Sequence, residues 1–279
     1  MSRVVAEIHD GGISLVGDTK ITYEGDPGRT RQTFKYALPK LVILRHAFAA
    51  GYGGSQPQQL LRALIEAREL APTSILEMAA AIPNASFVFA SLDPVPQLWQ
   101  VVNGRIEDRL AIRRGWVGDQ QAYDYFQCRY HEWPEGTSAA FRLMSSMQWL
   151  LSFQPVPSVG GCLTRVVTTD DGFRYVADPV TIGPDRMELT RVQAGPDSLT
   201  LELAVPDGGD TTSYSILPAV GRPPTPGALA YLVPQAGTAL LFPADSPWQA
   251  VRLRVGSMAD LLTQAAETHG QVLASAVPL

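Results

Sequence analysis

Two short runs rich in β-branched residues open the chain, and the three residues between them decide how the runs pair. Val5 and Ile8 belong to the first run, Ile13, Leu15 and Ile21 to the second, and Asp10-Gly11-Gly12 lies between. Glycine reaches the positive φ that a tight turn needs, so the spacing predicts a hairpin. The second run closes on Gly17-Asp18-Thr19-Lys20-Ile21-Thr22, which sets a carboxylate at a strand end. The first strand starts almost at once after Met1, at a serine. Methionine is normally trimmed before a small residue, so Ser2 is expected to become a free amino terminus. Chain ends fray unless something ties them down. A hydroxyl residue leading straight into a core strand is therefore a feature to explain.

Further along, strands and helices come in blocks. The loop Tyr23 to Pro39 has no clear period. Lys40 to Leu44 reads as a strand, and Ala47 to Gly51 runs back. Ser55 offers an N-cap for a helix from about Gln56 to Leu70, with Leu60, Leu61, Leu64 and Ile65 on one stripe. Ser74-Ile-Leu-Glu77 has the form of a capping box opening a second helix. Strands follow at Ala85 to Ala90 and Gln97 to Val102. Asn103-Gly104 is a strong two-residue hairpin signal, and Ile106 to Ile112 leads away from it. Two helices are expected at Gly118 to Glu132, with Ala122, Tyr125, Phe126 and Tyr130 inward, and at Thr137 to Phe153. Val159-Gly160-Gly161 leads into Leu163 to Thr168, and Asp170-Asp171-Gly172 turns into Phe173 to Val176.

From about Pro179 the character changes to short alternating strands. They are expected at Met187 to Val192, Leu199 to Val205, Thr212 to Leu217, Ala228 to Val233, Ala239 to Phe242 and Ala250 to Leu253. A Pro-rich connector spans Pro218 to Pro226, and Ser257 caps a closing helix. The division expected is 1–178 and a β-rich extension, 179–279.

Composition removes several classes of function. A net charge of −5 and a pI near 5.4, with no basic run, argue against a nucleic-acid surface. No apolar run approaches the roughly 20 residues of a membrane span, so no membrane partner is expected. The start lacks a secretory pattern, since Glu7, His9 and Asp10 interrupt it. Two cysteines, Cys128 and Cys162, make no disulfide framework and fit a cytoplasmic protein; both read as core residues. The histidines His9, His46, His131 and His269 have no metal-ligand spacing, and with no nucleotide loop no cofactor is expected.

To residue 178 the order is four strands, two helices, about three strands, two helices, two strands. Two sheets with helices outside give a four-layer α/β/β/α arrangement within an α+β chain. Here the sequence resembles proteasome β-type subunits, which are N-terminal nucleophile (Ntn) hydrolases, and the bacterial proteasome-like peptidases. The matching pieces are Ser2-Arg-Val-Val-Ala, Gly-Asp18-Thr-Lys20-Ile-Thr22, Lys40 heading its strand, and Ala-Ala-Gly-Tyr-Gly-Gly54-Ser55. Gly118-Asp119 and Val159-Gly160-Gly161 continue the series. Counted from Ser2, Asp18 falls at the family's aspartate without a gap; counted from Lys40, Gly54 falls at the oxyanion glycine.

The resemblance implies a hydrolase of peptide or amide bonds. Ser2 is then the nucleophile and its own α-amine the base, an amine whose ordinary pKa near 8 keeps it partly neutral at pH 7. Lys40 is a buried ammonium lowering the proton affinity of both groups. Asp18 holds that ammonium, the Gly54 N–H faces the oxyanion, and Thr22 lines the substrate strand. A ring-like homo-oligomer and an ATP-dependent unfoldase partner are also implied.

Four departures accompany the match. Serine replaces the usual threonine, and the loop before Lys40 is longer. Asp119 stands where the family opens a helix with serine, and is a candidate substitute for a missing aspartate. Val156 occupies the position of that aspartate, which supports the nucleophile. An inactive proteasome-like scaffold or binding protein is therefore the alternative expectation. A third is an unrelated enzyme using the Asp18, Lys20 and Lys40 charges differently. Taken singly, Lys20 is expected to pair with a surface acid.

Overall fold

The computed structural model describes residues 3–20, 37–153, 156–182, 188–194, 199–204, 212–218, 229–233 and 237–274. The expectations for Ser2 and Thr22, and most of the loop and connector expectations, lie outside them. The fold is α+β, built from antiparallel sheets and helices. Among the described residues no helix is long and apolar enough to cross a membrane.

The opening hairpin forms. β1 (Arg3–His9) and β2 (Gly12–Gly17) pair with His9 opposite Gly12, so Asp10-Gly11 is the loop and Gly12 takes φ +116°. β3 (Leu41–Arg45) and β4 (Phe48–Gly54) form the next hairpin. Helix α1 (Pro57–Glu66) follows, then α2 (Pro72–Ala81). Neither starts where hydroxyl caps were expected. The strand runs on through Gly54, so Ser55 is too early; Gln56 is the cap residue and makes no side-chain cap bond. Proline at the first helical turn sets both starts, because its fixed φ suits that position and its missing N–H costs nothing there. Pro72 thus places Ser74 and Glu77 inside α2 rather than at its entrance.

β5 (Ala85–Ser91) and β6 (Gln97–Val102) match the expected runs. Asn103 and Gly104 have φ of +51° and +74°, the two positive values of a type I′ turn. β7 (Arg105–Asp108) is shorter than expected. The Asp108 carboxylate accepts the Leu110 N–H at 2.7 Å, and Arg113 turns the chain at φ +59°. The chain then crosses to the other sheet as β8 (Arg114–Gly118), a strand the sequence reading missed. α3 (Gln120–His131) is capped by Asp119, and α4 (Ala139–Phe153) follows. Tyr125 and Cys128 point outward from α3, against expectation. β9 (Thr164–Thr169) and β10 (Gly172–Tyr175) complete this part.

The strands make two five-stranded sheets, ordered β10-β9-β2-β1-β8 and β3-β4-β5-β6-β7. Three apolar clusters join them to each other and to the helices. Val4, Ala6, Ile13 and Leu15 of the first sheet meet Leu41, Ala49, Val88 and Leu98 of the second. The opposite face of the second sheet, with Ala50, Tyr52, Phe87 and Phe89, receives Leu61 and Leu64 of α1 and Ile75 of α2. The opposite face of the first sheet, with Val5 and Val16, receives Phe126 of α3 and Leu143 and Met147 of α4. Both faces of the central strands are covered, which explains their nearly unbroken apolar runs.

A further sheet, ordered β11-β14-β15-β16-β17, is made by β11 (Asp178–Ile182), β14 (Thr212–Pro218), β15 (Leu229–Val233), β16 (Thr238–Phe242) and β17 (Val251–Arg254). β11 was not anticipated. β12 (Glu188–Ala194) and β13 (Leu199–Ala204) form a hairpin of their own. α5 (Met258–His269) starts as expected at Ser257, whose hydroxyl accepts the Asp260 N–H at 3.1 Å.

Candidate active site

The end of β2, the start of β3 and the loop before β9 converge at one edge of the two sheets. Asp18 is fully buried there. Its Oδ1 accepts the Arg3 N–H at 2.9 Å and its Oδ2 accepts the Gly160 N–H at 3.1 Å. The Gly160 carbonyl in turn accepts the N–H groups of Thr19 and Lys20. The Thr19 hydroxyl takes the Cys162 N–H at 2.8 Å. A Cβ on Gly161 would meet that hydroxyl oxygen at 2.5 Å, and its φ of +77° also asks for glycine. The Gly-Gly pair thus lets the loop close onto the end of β2.

Lysine is almost never buried without a partner, and this chain has just three: Lys20, Lys35 and Lys40. Two of them are buried at this edge, Lys20 at 1% exposure and Lys40 at 2%. Among the described residues Lys20 has no acid partner, against expectation; its Nζ donates to the Pro157 carbonyl at 2.7 Å. Lys40 faces Asp18. Burial brings the Lys40 ammonium down to about 8 against the opposing pull of Asp18. Burial pushes Asp18 up to about 6, against the Lys40 charge and its two amide donors.

The strand that carries Lys40 is held at three successive carbonyls. The Tyr52 hydroxyl donates to Pro39 at 2.7 Å, the Tyr52 N–H to Lys40 at 3.1 Å, and the Tyr175 hydroxyl to Leu41 at 3.1 Å. The Lys40 Nζ lies 5.7 Å from the centre of the Tyr52 ring. Along a strand, amides two residues apart point the same way. The Gly54 N–H therefore points as Tyr52's does, beyond the start of β3. Neighbouring Gly53 lies against Gly118, which pairs with Arg3. A cleft of about 390 Å³, lined in part by Ser55, Gln56, Leu60 and Asn84, opens beside Gly54.

Asp119 serves a different purpose from Asp18. Its carboxylate caps α3 through the Ala122 N–H at 3.1 Å and accepts the Ser158 hydroxyl at 2.7 Å. Burial works against its charge, but those donors and the Arg3 guanidinium hold its carboxyl below the usual range. The Val156 side chain sits in the apolar cluster under α4.

Three contributors escaped the sequence reading. Tyr52 and Tyr175 were not singled out in the sequence. Arg3 is fully buried, stacked 4.7 Å from the Trp116 ring centre and 5.1 Å from that of Tyr123, and among the described residues its side-chain nitrogens have no hydrogen-bond partner. Burial brings its guanidinium down to about 9, opposed by Asp119 and Asp18. A charged residue opening a strand whose next three residues are apolar was the available signal.

A scan against protein-family models and a search of curated proteins each return no match. Among the described residues no group of three or more His, Cys, Asp or Glu side chains could hold a metal ion.

Proposed function

We propose that the chain is an Ntn-type hydrolase of peptide or amide bonds. Ser2 is the nucleophile and base once it heads the mature chain, Lys40 and Asp18 are the charged pair behind it, and the Gly54 N–H is the oxyanion donor. The observation that carries this reading is the buried carboxylate of Asp18. It holds the amide of the residue that follows Ser2 while facing the Lys40 ammonium. An ammonium at that place favours the neutral α-amine and eases proton removal from the hydroxyl. The order of helix pair, sheet, sheet and helix pair supports a four-layer Ntn-like sandwich for residues 1–178, with 179–279 as an extension. The cleft beside Gly54 is suited to receive a substrate side chain. A cytoplasmic ring of identical subunits, fed by an ATP-dependent unfoldase, belongs to the same reading. Val156 favours the second reading, an inactive scaffold, because a buried valine cannot orient an amine.

The test combines intact mass with a probe. A β-lactone, which acylates activated hydroxyls, is expected to add once to the purified protein, at Ser2, with Met1 absent. Lys40→Ala and Ser2→Ala are each expected to abolish that adduct and any amide turnover. Met1 kept in every molecule, or labelling unchanged in Lys40→Ala, refutes catalysis and leaves the scaffold.

A further inference from the structure

We propose that Tyr175 is a positioning residue for Lys40. Its hydroxyl fixes the Leu41 carbonyl and thereby the strand segment carrying the ammonium, and the β15–β16 face holds Tyr175 in place. This rests on the reading of Lys40 as part of the site.

Tyr175 ends β10, an edge strand, more than a hundred residues from β3 in sequence. It packs against two apolar clusters at once. One is the core between the two sheets. The other is formed by Leu229, Tyr231 and Val233 of β15 and Leu240 and Phe242 of β16, packed on Ala37 and Cys162. The C-terminal sheet therefore touches the site's scaffold at three places: the segment entering β3, the loop leaving Gly161, and Tyr175. Tyr231 adds a hydroxyl contact to Thr164, the first residue of β9. Without Tyr175 the Leu41 carbonyl is a buried acceptor with no donor, which draws in water or moves the strand. Either outcome shifts the Lys40 ammonium relative to Asp18.

Other groups face this spot. Asp18 comes from the end of β2 and Tyr52 from β4. Tyr175 comes from β10, Tyr231 from β15 and Cys162 from the loop before β9; Asp18 also feels the Arg3 guanidinium. Burial keeps the tyrosines and the thiol protonated through the neutral range. Lys20 spends its ammonium on Pro157.

The experiment is a pH titration of protein carrying ¹³C at lysine Cε, where three lysines give three signals and Lys40→Arg identifies one. In Tyr175→Phe the Lys40 midpoint is expected to rise from about 8 toward the ordinary lysine value, by about half a unit or more, as the ammonium regains water. Tyr130→Phe, which loses a hydroxyl bonded to Glu7 at 2.7 Å, is expected to leave the midpoint in place. Turnover by Tyr175→Phe is expected to fall about tenfold in kcat with KM little changed. An unmoved midpoint in folded Tyr175→Phe overturns the proposal even if turnover falls. Should that variant fail to fold, Phe242→Leu is read instead: a rise in the midpoint supports the proposal and no change overturns it. If the wild type turns over nothing, catalysis fails while the titration still decides the positioning role.

Discussion

A carboxylate and an ammonium facing each other out of water are a cost to the fold as well as a tool. In the folded chain Asp18 titrates at about 6 rather than 3.8, so its native form binds a proton more readily than the unfolded chain does. Stability therefore falls as pH rises from about 4 to about 6. Lys40 titrates at about 8 rather than 10.5, so above about 8 the unfolded chain holds the extra proton and stability is regained. The pair thus cuts a trough between about pH 6 and pH 8. Asp18→Asn combined with Lys40→Met is expected to melt higher than the wild type in that window, by on the order of 2 kcal/mol, with the gain shrinking on either side. Lys40→Met alone is expected to destabilise by about 3 kcal/mol near pH 7, because Asp18 is left buried without its counter-charge. Thermal melts of the three proteins across pH check both. Asp18, Lys40 and Gly54 were singled out by their counted spacing in the family resemblance; taken singly they read as a turn carboxylate, a solvated strand-end lysine and a helix-entry glycine, and the burial of the first two is decided by chain far away in sequence. Lys20 was misread because nothing adjacent announces that a carbonyl 137 residues away takes its charge.

Among the elements, those decided by neighbouring residues were the ones the sequence showed. The Asn103-Gly104 turn and the Ser257 cap depend on residues within a few positions. β8 does not: it is five residues holding Gly115 and Trp116, and its partner strand is β1, over a hundred residues earlier. Its glycine answers to the opposite sheet, since a Cβ on Gly115 would sit 2.9 Å from a Val88 methyl. Gly51 of β4 is tighter still, with a Val4 methyl 2.4 Å from the place of its missing Cβ and a Val88 methyl at 3.0 Å. These glycines set how closely the two sheets approach. Gly51→Ala is expected to cost about 1–3 kcal/mol in chemical denaturation, because both valines are fully buried and have nowhere to turn.

At the scale of the molecule, the C-terminal sheet braces the edge where Asp18, Lys20 and Lys40 are gathered. That role left no trace in the sequence, because β15 and β16 read only as short strands of a β-rich extension and the residues they press on lie far upstream. Phe242→Ala is expected to lose about 3–5 kcal/mol. It is also expected to speed hydrogen exchange at the Leu38 and Tyr52 amides, which bond across this edge to Thr19 and Lys40, ahead of amides in the β5–β6 ladder. Uniform acceleration would remove the brace from the account. The scarcity of lysine has a practical corollary. An endoproteinase that cuts after lysine finds no cleavage point beyond residue 40, so everything from β3 to α5 is released as one fragment. Two of its three scissile bonds follow side chains that folding has put out of reach, so release of that fragment marks the moment at which this edge comes apart.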